Sequence, residues 1–296
     1  MELWIPITIA AAFLQSVRNS LQRHLLGTLS PEGASSLRFL YAVPFTLLYF
    51  GALAAYMGEP IPLPTTEFGV YALVGGTAQI LATVFLIRSF TFGTFAVGTA
   101  LSKTEALYAA ILGFVILGEG VSLLGVAGIL ISLFGVVLLS LAGKVPGDAN
   151  WIGKGSVYGL VAGGLFALAA VAYRGAALTL ESLHFLMQAA YTLVCVTIVQ
   201  ALTMGFYIGW RDRAELTRIA AVWRPAILVG LTGMLASGGW LIAMALERAA
   251  YVRTLGQIDL VFAFIVSVVL FREKASVRDV TGVALIAFGL ALIVLG

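Results

Sequence analysis

Apolar residues fill this chain in long runs, and polar residues gather in short clusters between them. Ten runs separate, at about 3–27, 33–57, 67–90, 94–117, 121–142, 152–178, 182–208, 224–247, 250–271 and 276–295. A helix rises ~1.5 Å per residue, so about 20 apolar residues cross the ~30 Å hydrocarbon core of a bilayer. The breaks carry turn residues: Ser30-Pro31-Glu32-Gly33, Gly58-Glu59-Pro60 through Pro64, and Gly118-Glu119-Gly120. Lys144-Val145-Pro146-Gly147-Asp148 falls mid-chain, and Arg211-Asp212-Arg213-Ala214-Glu215 opens the longest polar loop. Inside lipid every backbone N–H and C=O needs an internal partner, which selects helices, and no run shows the alternation of a barrel strand. The expected fold is an all-α integral membrane protein with ten transmembrane helices.

The second half repeats the first. An offset of 154 residues places Glu105 on Asp259, Glu119 on Glu273 and Ser122 on Ser276 without a gap. It also places Gly128 on Gly282, Gly135 on Gly289 and Gly76 on Gly230. The division is 1–143 for one five-helix repeat, 144–151 for a linker and 152–296 for the second. An odd number of helices per repeat forces the halves into opposite orientations. Gly128 and Gly135, like Gly282 and Gly289, share one helix face, which suits packing of the fifth helix on the tenth or a homodimer contact. The pairs Gly75-Gly76, Gly163-Gly164 and Gly238-Gly239 suit close helix approach, with hinges as the sharper alternative.

These segments resemble the drug/metabolite transporter superfamily in its EamA-like, ten-helix branch. The resemblance rests on TEALYAAILGFVILGEGVSLLGVAGILISLFGVVLL and its weaker echo IDLVFAFIVSVVLFREKASVRDVTGVALIAFGLALIVL. LSPEGASSLRFLYAVPF resembles the start of that family's second helix, with Arg38 at the matching place. It implies secondary transport, with substrate held in a central cavity between the halves. Family substrates include amino acids, amines, nucleotide sugars and sugar phosphates.

Composition agrees. The chain is 61% hydrophobic and 10% charged, far below the roughly 25% that a soluble surface carries. The net charge of +3 includes no basic patch with interleaved aromatics, which excludes nucleic acid as a partner. The single cysteine, Cys195, rules out an intrachain disulfide and a cysteine-built metal site. His24 and His184 lie far apart and suggest local hydrogen bonds. The start, MELWIPITIAAAFLQS, has no Lys or Arg before its apolar run and reads as a retained first helix rather than a signal peptide. No phosphate loop exists: GDANWIGKG has the wrong spacing, so direct ATP drive within this chain is excluded. No metal ligand set, nucleophile motif or cofactor fingerprint is present, and the expectation is a protein that is not an enzyme. An intramembrane enzyme is the rival class.

Of 17 Lys and Arg, eleven fall on the side of the odd-numbered loops and three on the other. The positive-inside rule then puts the odd loops in the cytoplasm and both termini outside, in a multi-pass cell (inner) membrane protein. The family resemblance implies the reverse, cytoplasmic termini.

Ionisable groups inside a bilayer cost roughly 3 kcal/mol each on insertion scales, so they mark function or pairing. Lys103 and Glu105 fall mid-run in the fourth segment, about 200° apart on a continuous helix, and cannot pair with each other. The repeat sets Gln257 and Asp259 of the ninth segment beside them. One reading is a substrate or proton site at the midplane, with Glu105 or Asp259 carrying the proton. The other is a structural pair, Lys103 with Asp259 or Glu105 with Gln257. Substrate-binding candidates are Lys103, Glu105, Tyr108, Gln79, Gln257, Asp259, Trp240, Gln188, Gln15 and Arg38. Gln15, Arg38, Gln79, Gln188 and Trp240 rank below the central cluster, together with Arg18, Asn19 and Tyr191, and each could line a cavity or only hydrogen-bond a neighbouring helix. Arg253 is expected to snorkel to the interface, and Glu119 and Glu273 to cap or face solvent in their turns. The expected partners are the lipid bilayer, a small polar metabolite, and a proton or counter-substrate. The functional expectation is an exporter or exchanger of an amino acid or amine. An organic anion such as a sugar phosphate is the alternative, on the strength of Lys103.

Overall fold

In the computed structural model the described residues are 2–58, 61–92, 95–142, 153–269 and 276–295. The 144–151 linker and Glu273 lie outside them. Every named element among the described residues is a helix. In the first half these are α1 (Trp4–His24), α2 (Pro31–Leu40), α3 (Val43–Met57), α4 (Thr66–Phe92), α5 (Phe95–Ser102), α6 (Glu105–Leu117) and α7 (Leu123–Ala142). In the second they are α8 (Lys154–Leu178), α9 (Phe185–Arg211), α10 (Arg213–Ala221), α11 (Trp223–Leu246), α12 (Ala249–Leu255), α13 (Ile258–Val269) and α14 (Val277–Leu295). Seven helical stretches are long and apolar enough to cross a membrane, with the shorter apolar Leu123–Leu139 beside them. The second half of α1 carries Gln15, Arg18, Asn19, Gln22 and Arg23, and α1 is not among the seven.

Local chemistry sets the helix ends. Ser30 caps α2 by accepting from the Gly33 amide at 3.0 Å, with Pro31 and the acidic Glu32 in the first turn. Gly118 closes α6 at φ +68°, a left-handed conformation that side chains with a Cβ resist. Asp212 caps α10, a short polar helix inside what the sequence suggested was a loop.

Three expected helices are interrupted. The second segment breaks at Tyr41–Ala42, where Pro44 removes a backbone donor. The fourth breaks at Lys103–Thr104. There the Lys103, Thr104 and Ala106 amides donate three residues back, at 3.1, 3.2 and 3.3 Å, tightening the turn. The ninth breaks at Gly256–Gln257, where Gln257 and Leu260 each donate three residues back at 3.0 Å. Lys103 and Gln257 are equivalent positions, so the two halves break at the same place.

Helix packing carries the same symmetry. A methyl group at Gly128 would lie 2.7 Å from the Gly289 carbonyl, and one at Gly135 would lie 2.7 Å from the Gly282 carbonyl. The offset exchanges these two contacts, so α7 and α14 run antiparallel about a two-fold axis. The α4–α8 contact, where Gly75 meets Ala172 and Tyr173, has its counterpart in α1–α11, where Gly239 meets Ala11. Outward-facing Leu48, Phe114, Leu123, Phe134 and Phe206 are exposed and suit a lipid surface.

Candidate functional site

The broken helices bring the polar residues together. Where α5 stops and α6 begins, Lys103 turns to the start of α13, and its Nζ donates to Asp259 Oδ2 at 2.6 Å. Both side chains are buried, at 4% and 6% exposure. The Gln257 side-chain amide donates to the Lys103 carbonyl at 3.4 Å, sharing an oxygen that also accepts from the Ala106 amide at 3.3 Å. Glu105, in the first turn of α6, lies 3.6 Å from Arg253 Nη1 of α12.

Arg253 is thus buried at 3% exposure rather than snorkelling. Its guanidinium lies 4.6 Å from the centroid of the Trp240 ring on α11. Trp240 in turn donates Nε1–H to Gln15 Oε1 of α1 at 3.0 Å. Arg38 of α2 donates to the hydroxyls of Thr83 and Ser237, each at 3.2 Å, so it links α4 and α11. Gln79 Oε1 accepts from the Tyr173 hydroxyl and from Gln200 Nε2, both at 2.9 Å.

Arg38, Gln79, Tyr173, Gln200, Ser237, Trp240 and Arg253 border one internal cavity. Its charged lining consists of Arg38 and Arg253, and its polar lining includes Gln79, Gln200 and Ser237. The free space inside is about 20 Å³, on the order of one water molecule. The walls therefore have to part before a metabolite fits.

Of the sequence candidates, Arg38, Gln79 and Trp240 border the cavity, and Gln15 supports Trp240. Lys103, Glu105, Gln257 and Asp259 form an ionic layer next to it, joined through Arg253 and Trp240, rather than its wall. Tyr108 is 38% exposed, because the break at Lys103–Thr104 resets the phase of α6. Gln188 sits in the first turns of α9 and donates to the Leu183 carbonyl at 2.9 Å, away from the cavity. Arg253, Tyr173, Gln200 and Ser237 were missed. Only a helical wheel for a broken ninth segment would have pointed Arg253 inward.

Ties between the halves lie at both ends of the bundle. At the end holding the chain termini, Arg174 Nε of α8 meets Glu119 Oε1 in the turn after α6 at 2.9 Å. Arg174 also donates to the Met244 and Ala245 carbonyls, and Arg248 donates to the Gly120 carbonyl. Glu119 is therefore an ion-pair partner rather than a solvated cap. At the opposite end, Glu215 Oε1 accepts from the Ser30 amide at 2.7 Å and from the Ser30 hydroxyl at 2.8 Å. Glu215 also accepts from Arg218 Nε at 2.6 Å, and Arg88 pairs with Glu32 nearby. Burial alone would raise the Glu215 carboxyl, but the Ser30 hydrogen bonds and Arg218 outweigh it and hold it below its ordinary value.

Among the described residues no cluster of His, Cys, Asp or Glu could hold a metal ion. A comparison with curated proteins finds no match. A solved structure titled "Crystal structure of protein" superposes at a TM-score of 0.72 with 16% identity, covering 99% of each chain. At that identity it shows the fold alone. The profile of the EamA-like transporter family matches residues 2–141 and 153–295, one repeat in each half. That family consists of membrane transporters rather than enzymes. The chain therefore belongs to the EamA-like transporter family, as a multi-pass membrane protein of the drug/metabolite transporter superfamily.

Proposed function

We propose that the protein is a secondary transporter that moves a small polar metabolite by alternating access, across ten passes in two inverted five-helix repeats. The three interrupted segments each count as one pass, and α10 lies outside the passes. The observation that carries the reading is the ionic layer at the paired helix breaks. Lys103, Asp259, Glu105 and Arg253 come from α5–α6 of one half and α12–α13 of the other, beside a cavity bounded by both halves. Interrupted helices free backbone groups where two repeats meet, and they let each half-helix tilt separately.

In this reading the Lys103–Asp259 pair holds the halves together, and it loosens when the cavity opens to one side. Glu105 and Asp259, the carboxylates of the ionic layer, are the proton-coupling candidates. The end ties, Arg174–Glu119 and Glu215–Ser30, alternate as the two gates. The cell membrane is the proposed location, with termini on the non-cytoplasmic face by the charge count.

The test is exchange of labelled metabolites by purified protein in proteoliposomes. Lys103→Ala and Glu105→Gln each abolish exchange while the protein stays folded by gel filtration. Full exchange by both variants would refute the assignment. Product formation from a metabolite in detergent, with no membrane present, would favour the enzyme class instead.

A further inference from the structure

Among the described residues four cations lie buried between the helices, Arg18, Arg38, Lys103 and Arg253, with two carboxylates beside them, Glu105 and Asp259; a third buried carboxylate, Glu215, is held by Ser30 and Arg218 at one end of the bundle. Lys103 and Asp259 cancel each other. Glu105 is left to serve three arginines, and it stands 3.6 Å from one of them. Arg38 has hydroxyl partners. Arg18 donates Nη2–H to Asn19 Oδ1 at 2.9 Å, and its Nε and Nη1 have no hydrogen-bond partner among the described residues. The Nε of Arg253 is likewise unpartnered there. Gly233 brings the arginines together: a methyl group at that position would lie 3.3 Å from Arg38 Cβ and 3.5 Å from Arg18 Cδ. A cluster of like charges at membrane depth, with open N–H groups, is costly unless an anion joins it.

We propose that this cluster binds the acidic group of an organic anion, and that carboxylate- or phosphate-bearing metabolites are the transported class. The proposal rests on the transport reading for the word transported and stands independently for binding. It reverses the order expected from sequence, and it moves the anion handle from Lys103 to the arginines. A guanidinium fork matches carboxylate and phosphate oxygens in pairs, and every charged side chain lining the cavity among the described residues is an arginine. Trp240, Leu193 and Leu241 supply apolar wall for the rest of the molecule. The amine alternative would use Glu105, which already stands against Arg253 and does not line the cavity, or Asp259, whose Oδ1 lacks a hydrogen-bond partner among the described residues. Its charge is already met by Lys103, and it does not line the cavity.

The experiment titrates the purified full-length protein with sodium phosphate, succinate, benzoate and putrescine at matched ionic strength. Unfolding temperature and tryptophan emission are followed. At least one anion raises the unfolding temperature, and putrescine does not. The phosphate arm against the two carboxylate arms separates the anion classes. Arg38→Lys keeps the charge, loses the fork and weakens the anion response by roughly tenfold or more. Arg18→Met abolishes the anion response and raises the unfolding temperature of the protein without ligand, because it removes an uncompensated buried charge. A merely structural arginine would lower that temperature. Three results overturn the proposal: stabilisation by putrescine and not by anions, no response to any anion, or an undiminished anion response in both variants. Anion binding without exchange in proteoliposomes would keep this site and overturn the transport reading. Exchange of an amine would do the opposite.

Discussion

Gln257 and Lys103 occupy equivalent places in the two halves, 154 residues apart, and they touch: the amide of one donates to the backbone carbonyl of the other at 3.4 Å. The two-fold axis of the fold therefore passes between them, through two helices that break at the same point. Two residues further along each segment stands a carboxylate with a cation, Asp259 with Lys103 and Glu105 with Arg253. The polar centre is a product of the repeat.

Breaking the Lys103–Asp259 pair from one side leaves an unmet charge in a buried site. Lys103→Ala or Asp259→Asn lowers unfolding stability by about 3–5 kcal/mol. The double replacement Lys103→Met with Asp259→Leu restores most of that loss while exchange stays absent. Thermal unfolding of the three variants in one detergent checks this. A double variant no more stable than the singles would show that the pair organises the fold rather than the motion.

Much of this centre was legible in the sequence. Hydropathy marked the apolar helical stretches, and the 154-residue register set Lys103 and Glu105 against Gln257 and Asp259. The helix breaks were less visible. Pro44 signalled one, but Lys103–Thr104 carries no proline or glycine, and its interruption comes from tertiary partners of the turn. That break explains the misplacement of Tyr108, whose face was assigned on a continuous helix. Arg253 was misread because its position near the start of the ninth segment suggests the interface. The seven-residue α12 is instead buried along its whole length. Gln188 looked like a cavity residue by type, whereas its local job is to satisfy the Leu183 carbonyl.

The α7–α14 contact depends on missing side chains. Gly135→Ala forces a methyl group against the Gly282 carbonyl at 2.7 Å and destabilises by roughly 1–3 kcal/mol. Gly113→Ala meets nothing within 4 Å in mid-α6 and is neutral or stabilising by up to about 1 kcal/mol. Paired thermal unfolding checks the contrast. Equal effects would mean that the crossing is loose.

Glu215 gives the end tie a pH signature. Its folded carboxyl titrates below its ordinary value, so the folded state holds fewer protons than the unfolded state in that window. Its contribution is present in full above the unfolded value of about 4.3 and is lost as pH falls through the lower folded one. Glu215→Gln removes this part of the acid dependence. Unfolding temperature against pH from 6 down to about 3 reads it, and superimposable curves for variant and parent would contradict it.

Access that alternates requires the Glu119–Arg174 end to open and close. In a Cys195→Ser background, cysteines replacing Glu119 and Arg174 are joined by a short bis-methanethiosulfonate reagent, which forms a disulfide with each thiol as sulfinate leaves, and exchange in proteoliposomes is followed before and after reduction. The account predicts that linked protein exchanges no substrate and that cleavage restores exchange. Undiminished exchange by fully linked protein would contradict it.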